Sequence, residues 1–173
     1  NVDTNSRLCM ASTVAGQRRA FGTDTVPGCY DDLDEAELIV LVGSNAAWCH
    51  PILFQRVRRA RQTRGARVVV VDTRATATTD EADLFLRVEP GKDSVLFCGL
   101  LVDLVARGAI DQAFIDAHTS GFDATLAMAR EIAPTLAATA AGTGIEPERL
   151  ADFFDMFAAT PRAVTLFSQG VNQ

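Results

Sequence analysis

Leu38-Ile39-Val40-Leu41-Val42 is an unbroken run of β-forming apolar residues that stops at Gly43. A strand with one wet face alternates apolar and polar residues. A run without alternation suits a strand covered on both faces, as in a parallel sheet. Val68-Val69-Val70-Val71 repeats the pattern and ends at Asp72. Residues 84–88 read as a third, shorter strand before Pro90-Gly91, and residues 163–167 as a further one. Helices fall between them. Pro51 opens one and Gly65 ends it, with Leu53, Val57 and Ala60 as its inward stripe. Residues 94–107 read as a buried helix stopped by Gly108. Pro147 opens another, on which Leu150, Phe153, Phe154 and Phe157 recur at the spacing of a core-facing stripe. The Ala/Thr run 137–143 reads as a loop. This grammar predicts an α/β fold, a doubly wound, mostly parallel sheet flanked by helices. No internal linker stands out, so residues 1–173 read as a single domain.

Composition narrows the function classes. A net charge of -6 and a pI near 4.8 argue against nucleic acid, whose binders carry basic surfaces. The longest apolar stretch, 95–106, is broken by Asp103 and is too short to span a bilayer, so no membrane partner is expected. Cys9, Cys29, Cys49 and Cys98 form no Cys-x-x-Cys pair. Their spacing offers neither a zinc ribbon nor a disulfide framework, and a reducing compartment is the simpler reading. Arg56, Arg58, Arg59, Arg61 and Arg64 cluster on one helix; a solvated face explains them better than a phosphate site. His50 reads as a structural hydrogen-bonder before Pro51, and His118 as a surface residue.

Ligands of open parallel sheets bind beyond the carboxyl ends of the strands. Three loops are candidates there. The first is Gly43-Ser44-Asn45-Ala46-Ala47-Trp48-Cys49-His50, where glycine permits a tight turn, Ser and Asn offer short donors, and the next helix N-terminus suits a phosphate. The second is Asp72-Thr73-Arg74-Ala75-Thr76, with an acid for ribose hydroxyls and an arginine for phosphate. The third is Pro90-Gly91-Lys92-Asp93. Together they suggest a nucleotide-containing ligand. Neither a Gly-x-Gly-x-x-Gly nor a Walker sequence is present, which counts against an ordinary NAD or ATP site.

The opening segment, from Asn1 to Gly16 with Leu8-Cys9-Met10-Ala11-Ser12 at its centre, resembles the molybdenum-ligand segment of bacterial molybdopterin-dependent nitrate reductases. Further matches follow in order: Gly28-Cys29-Tyr30-Asp31-Asp32, Gly43-Ser44-Asn45, His50-Pro51, the Asp72 loop, Pro90-Gly91-x-Asp93 and Gly170-Val171-Asn172-Gln173. The resemblance implies a Rossmann-like domain of the formate dehydrogenase/DMSO reductase type, an internal fragment of a larger molybdoenzyme. It implies Cys9 as the molybdenum ligand within a bis-molybdopterin guanine dinucleotide centre. On its own, a cysteine beside apolar residues is a buried small hydrophobe. By resemblance Val42, Gly43, Ser44, Asn45, Cys49, Asp72, Thr73, Arg74, Thr76, Gly91 and Asp93 would hold a guanine dinucleotide tail. Asn5, Gln169 and Gln173 would contact the cofactor nearer the metal. A 4Fe-4S cluster with ligands outside this segment would deliver electrons from ferredoxin, flavodoxin or an NADH-dependent reductase subunit.

Met10 discriminates between substrates. Related formate dehydrogenases carry a histidine directly after the metal-ligating cysteine or selenocysteine, and a methionine cannot transfer protons. The resemblance therefore favours nitrate, reduced to nitrite. Gln169 stands where periplasmic nitrate reductases have methionine, which points to the assimilatory, cytoplasmic branch. Thr73 stands where the family often has proline, which leaves that loop's geometry less constrained. The alternatives are a formate dehydrogenase of the same superfamily and a non-catalytic nucleotide-binding or scaffold α/β module, as in the central domains of some thiamine enzymes.

Overall fold

The computed structural model describes residues 9–172. In chain order the elements are α1 (Ala11–Phe21), α2 (Asp31–Glu35), β1 (Leu38–Val42), α3 (Ala46–Cys49), α4 (Pro51–Arg64), β2 (Arg67–Asp72) and a 3-10 turn (Thr79–Glu81). There follow β3 (Leu84–Arg87), α5 (Asp93–Ala106), α6 (Gln112–His118), α7 (Phe122–Ile132), α8 (Leu136–Thr143), α9 (Pro147–Ala159), β4 (Ala163–Phe167) and α10 (Gln169–Asn172). They pack as two compact units, Asn1–Phe85 with Arg162–Gln173, and Leu86–Pro161.

The first unit carries the sheet. Its strand order is β3-β2-β1-β4. β1 is parallel to β2, with Val42 opposite Val71, and parallel to β4, with Val42 opposite Phe167. All five residues of β1 are buried, which is why the strand reads without alternation. The strand period of two still governs the packing. Ile39, Leu41, Val68 and Val70 face one side, where they meet Phe54, Val57 and Ala60 of α4. Val40, Val42, Val69 and Val71 are buried as well, on the other side. The expected α/β fold and its mostly parallel sheet are borne out, and the strands fall where the apolar runs put them.

The arginines of α4 face acids. Arg56 and Arg59 reach Asp34 at 2.8 and 2.9 Å, Arg58 reaches Glu81 at 3.0 Å, Arg61 reaches Asp83 at 2.8 Å and Arg64 reaches Glu35 at 3.3 Å. These pairs are partly to largely exposed, and such surface pairs are worth about 0–1 kcal/mol each. Asp83 does more than pair, because its Oδ2 also accepts the Val68 N–H at 2.7 Å at the start of β2. Burial pushes its carboxyl up. The Arg61 hydrogen bond, the Val68 N–H and the charges of Arg61 and Arg67 outweigh that and hold it below the ordinary carboxylate range. A group with a depressed folded value contributes stability above its unfolded value, near pH 4, and loses it as pH falls through the folded value. Asp83→Asn is therefore expected to lower stability at neutral pH and to make the acid-side loss shallower. Denaturant melts across pH 2–7 (a range chosen to bracket about 4) check this, and parallel pH curves for the two proteins would refute it.

The second unit is helical. Leu150, Phe153 and Phe154 on α9 are fully buried, and Phe157 meets Phe153 edge-on with ring centroids 6.0 Å apart. α5 packs against α7, α8 and α9. Gly99 on α5 lies where an added Cβ would sit 2.2 Å from Thr139 Oγ1 on α8, so the α5 backbone packs directly against the Thr139 side chain. The expectation of a loop at 137–143 is wrong, because α8 covers it. The Thr135 hydroxyl accepts the Ala138 N–H at 3.1 Å as an N-cap, Gly144 terminates the helix in the left-handed region, and the alanines between are strong helix formers. His118 is exposed, as expected, with its ring 4.9 Å from that of Phe114.

Candidate active site at the carboxyl ends of the strands

Strand order 3-2-1-4 places the reversal of winding between β1 and β4. Both strands leave the sheet at the same end, through Gly43 and Ser168. Ser168 N–H donates to Val42 O at 3.2 Å, Gly170 N–H to Gly43 O at 3.0 Å, and Gly43 N–H to Val71 O at 2.8 Å. Gly43 has φ +53, and a Cβ on it would lie 2.7 Å from the Gly170 Cα. Ser44 is buried, with its hydroxyl 2.9 Å from that of Ser168. The two exits are thus fastened together by backbone and serine hydroxyls.

Cys9 lies over this junction. It occupies the turn before α1, half-buried, and Gln169 Nε2 donates to its Sγ at 3.1 Å. The two residues are 160 apart in sequence. Met10, beside it, is 40% exposed and stands at the N-cap position of α1. On the next turn the Thr13 hydroxyl donates to Asn172 Oδ1. The structure thus brings Cys9, Met10, Gly43, Ser44 and Gln169 to one end of the sheet. Asn5 and Gln173 lie outside the described residues.

The first loop has less spare hydrogen-bonding capacity than its composition suggests. Thr78 is fully buried; its hydroxyl donates to Asn45 Oδ1 at 3.0 Å and accepts the Ala47 N–H at 3.1 Å. The loop then enters the four-residue α3, and only after His50 does α4 start. Cys49 is exposed at the end of α3. The second loop runs from the end of the neighbouring strand. Asp72 Oδ1 accepts the Thr73 N–H at 2.7 Å and the Arg74 N–H, two residues on, at 3.5 Å; the second closes an Asx turn that holds the carboxylate back along its own chain. Thr73 and Arg74 are exposed, while Thr76 is half-buried and its hydroxyl accepts the Thr78 N–H at 3.2 Å. Gly91, with φ +74, and Asp93, the first residue of α5, belong to the second unit.

Sequence reasoning missed Thr13, Thr78, Ser168 and Asn172. All four act by contacts across many residues, which neither periodicity nor motif spacing encodes. A separate pocket of about 110 Å³ is lined by Leu41, Phe54, Val57 and Leu166, with Ser44 and Ser168 also lining it. It is mainly apolar and includes neither Cys9 nor the Asp72 loop.

The chain has relatives among known proteins. The chain is 49% identical over its whole length to a nitrate reductase of Shewanella frigidimarina, of which it spans 18%, and 48% identical to one of Klebsiella oxytoca, of which it spans 19%. It is 30% identical to the alpha subunit of an F420-dependent formate dehydrogenase of Methanococcus maripaludis, of which it spans 25%. The fold matches that of acetylene hydratase from Pelobacter acetylenicus, with a TM-score of 0.79 at 22% identity, over 96% of this chain and 22% of that one. The molybdopterin oxidoreductase description matches residues 1–173. The chain belongs to the molybdopterin oxidoreductase family, which implies a molybdenum–pterin cofactor.

Proposed function

We propose that the chain is part of the catalytic subunit of a nitrate reductase, with Cys9 as its ligand to molybdenum. The observation that carries this is the end-to-end similarity to two nitrate reductases at nearly half of all positions, well above that to the formate dehydrogenase. The donor set fits the cofactor. Among the described residues no group of three His, Cys, Asp or Glu side chains stands together. A metal held here takes one soft thiolate from these residues and its remaining ligands from the pterin, which suits molybdenum.

When bound, the cofactor supplies oxygen-atom transfer: nitrate loses one oxygen and leaves as nitrite, and two electrons with two protons convert that oxygen to water. Cys9 anchors and tunes the metal. Gln169 orients its sulfur through an amide N–H. Met10 lines the substrate side with a thioether that neither gives nor takes a proton, which fits a small, weakly basic oxyanion. The guanine dinucleotide form of the cofactor is the proposed one. Val42, Gly43, Ser44 and Asn45 form its cradle beside β1, with Cys49 bordering it. Asp72 and Thr73 serve its hydroxyls, Arg74 and Thr76 its phosphates, and Gly91 with Asp93 complete the set. Asn5, Gln169 and Gln173 are proposed to contact the cofactor nearer the metal. A 4Fe-4S cluster elsewhere in the subunit would bring electrons from ferredoxin, flavodoxin or an NADH-dependent reductase subunit. The cytoplasm is the proposed location. Among the described residues no helix is long and apolar enough to cross a membrane.

The test is a paired assay on the full-length enzyme. Reduced viologen should be oxidised with nitrate, releasing one nitrite per nitrate consumed, and oxidised viologen should not be reduced with formate. Formate oxidation without nitrate reduction would assign the chain to the formate branch.

A further inference from the structure

α1 buries none of its residues completely, so apolar packing gives its placement little support among the described residues. Its contacts with α10 are polar and specific. Gln169 holds the Cys9 sulfur, and Asn172, itself buried, accepts from Thr13 one turn further along α1. α10 in turn is fixed to the sheet. Gly170 N–H bonds Gly43 O at 3.0 Å, Val171 N–H bonds Ser168 O at 3.1 Å, and the two glycines touch through their backbones. A continuous path of short contacts therefore runs from the end of β1 through α10 to Thr13 and Cys9.

We infer that Thr13 and Asn172 are positioning residues, and that with Gln169 they make α10 a two-point clamp that sets where the Cys9 sulfur lies. This rests on the reading of Cys9 as a metal ligand. Two contacts, one at the sulfur and one on the next turn, fix both the place of the ligand and the direction of the helix that follows it. One contact alone would leave α1 able to pivot about the sulfur. Residues that orient a ligand without touching the metal commonly change affinity or activity by about 10–100-fold.

The experiment uses the full-length enzyme and compares Thr13→Val, which keeps the shape and removes the hydroxyl, with Thr13→Ser, which keeps the hydroxyl. Thr13→Val is expected to retain the wild-type sulfur count around molybdenum by X-ray absorption and to shift the g values of the Mo(V) paramagnetic resonance signal. Nitrate turnover should fall about 10-fold. In cofactor-free full-length protein, iodoacetamide should alkylate Cys9 several times faster at a single fixed pH. Thr13→Ser should restore the wild-type signal and alkylation rate. A wild-type spectrum and alkylation rate in Thr13→Val would overturn the clamp. Should Thr13→Val fail to fold, Gln169→Leu at an exposed position carries the alkylation comparison in cofactor-free protein: faster alkylation of Cys9 supports the clamp, and a wild-type rate overturns it. Cys9→Ser separates the two claims. If it leaves the sulfur count unchanged, the ligand reading fails, while the alkylation arm still judges the clamp without any metal.

Discussion

Cys9→Ser in the full-length enzyme is expected to lower nitrate turnover by at least about 100-fold and to remove one sulfur from the molybdenum shell. Serine keeps the shape and very nearly the volume of cysteine, so the half-buried turn before α1 should survive the change. What changes is the donor. A hydroxyl is harder and far less acidic than a thiol, and it bonds poorly to a sulfur-rich metal centre. The Gln169 amide would still find an acceptor at that position, since an oxygen accepts its N–H at least as well as a sulfur does. Loss of turnover with an unchanged melting curve is therefore the expected pattern. X-ray absorption at the molybdenum edge supplies the independent count. Wild-type turnover with an unchanged sulfur count would return Cys9 to the status of a half-buried structural cysteine and remove the basis of the proposed function.

The fold was legible because its strands are buried on both faces. Such strands have no pattern to disguise them: Leu38 to Val42 and Val68 to Val71 are continuous apolar runs, and each ends where a strand ends. Pro51 and Gly65 bracket α4 for equally local reasons, a fixed φ at the start and a left-handed residue at the stop. The one misjudged element, α8, shows the limit of composition. Ala and Thr in a row look like low complexity, yet Thr135 and Gly144 cap the segment at both ends as they would any helix. The site was legible only through its motif. Nothing in the surroundings of Cys9 along the chain says that Gln169 donates to it. That contact exists because β4 pairs with β1 at one edge of the sheet, which carries residues 168–172 to the place where β1 ends. Spacing likewise made Ser44 and Asn45 look available for a ligand, while Ser168 and Thr78, remote in sequence, already occupy their side chains.

Gly170→Ala is expected to be among the most damaging conservative changes outside the proposed metal ligand. The new Cβ would stand 2.5 Å from the Gly43 Cα and 2.8 Å from its carbonyl oxygen. Real Cβ atoms do not approach backbone that closely, and neither neighbour is a flexible side chain that can swing aside. Gly43 is held by its N–H bond to Val71 O, so relief requires α10 to lift away from the end of β1. That movement breaks the Gly170–Gly43 hydrogen bond and carries Gln169 and Asn172 away from Cys9 and Thr13. Overpacking of this kind costs about 1–3 kcal/mol, and the lost hydrogen bond roughly 1 kcal/mol more. Gly43→Ala should be at least as harmful, because it adds a left-handed backbone at φ +53 to the same collision, at 2.7 Å from the Gly170 Cα. Each variant of the full-length enzyme should melt several degrees lower and retain less molybdenum after purification. Gly65→Ala is the matched control for Gly43→Ala. It changes a glycine of similar φ, +73, with nothing within 4 Å of the added Cβ, so it carries the backbone strain without the collision. A melting temperature and metal content for Gly43→Ala no worse than those of Gly65→Ala, with Gly170→Ala no worse than wild type, would show that the two exits can part without cost, and that they do not hold the end of the sheet in register with Cys9.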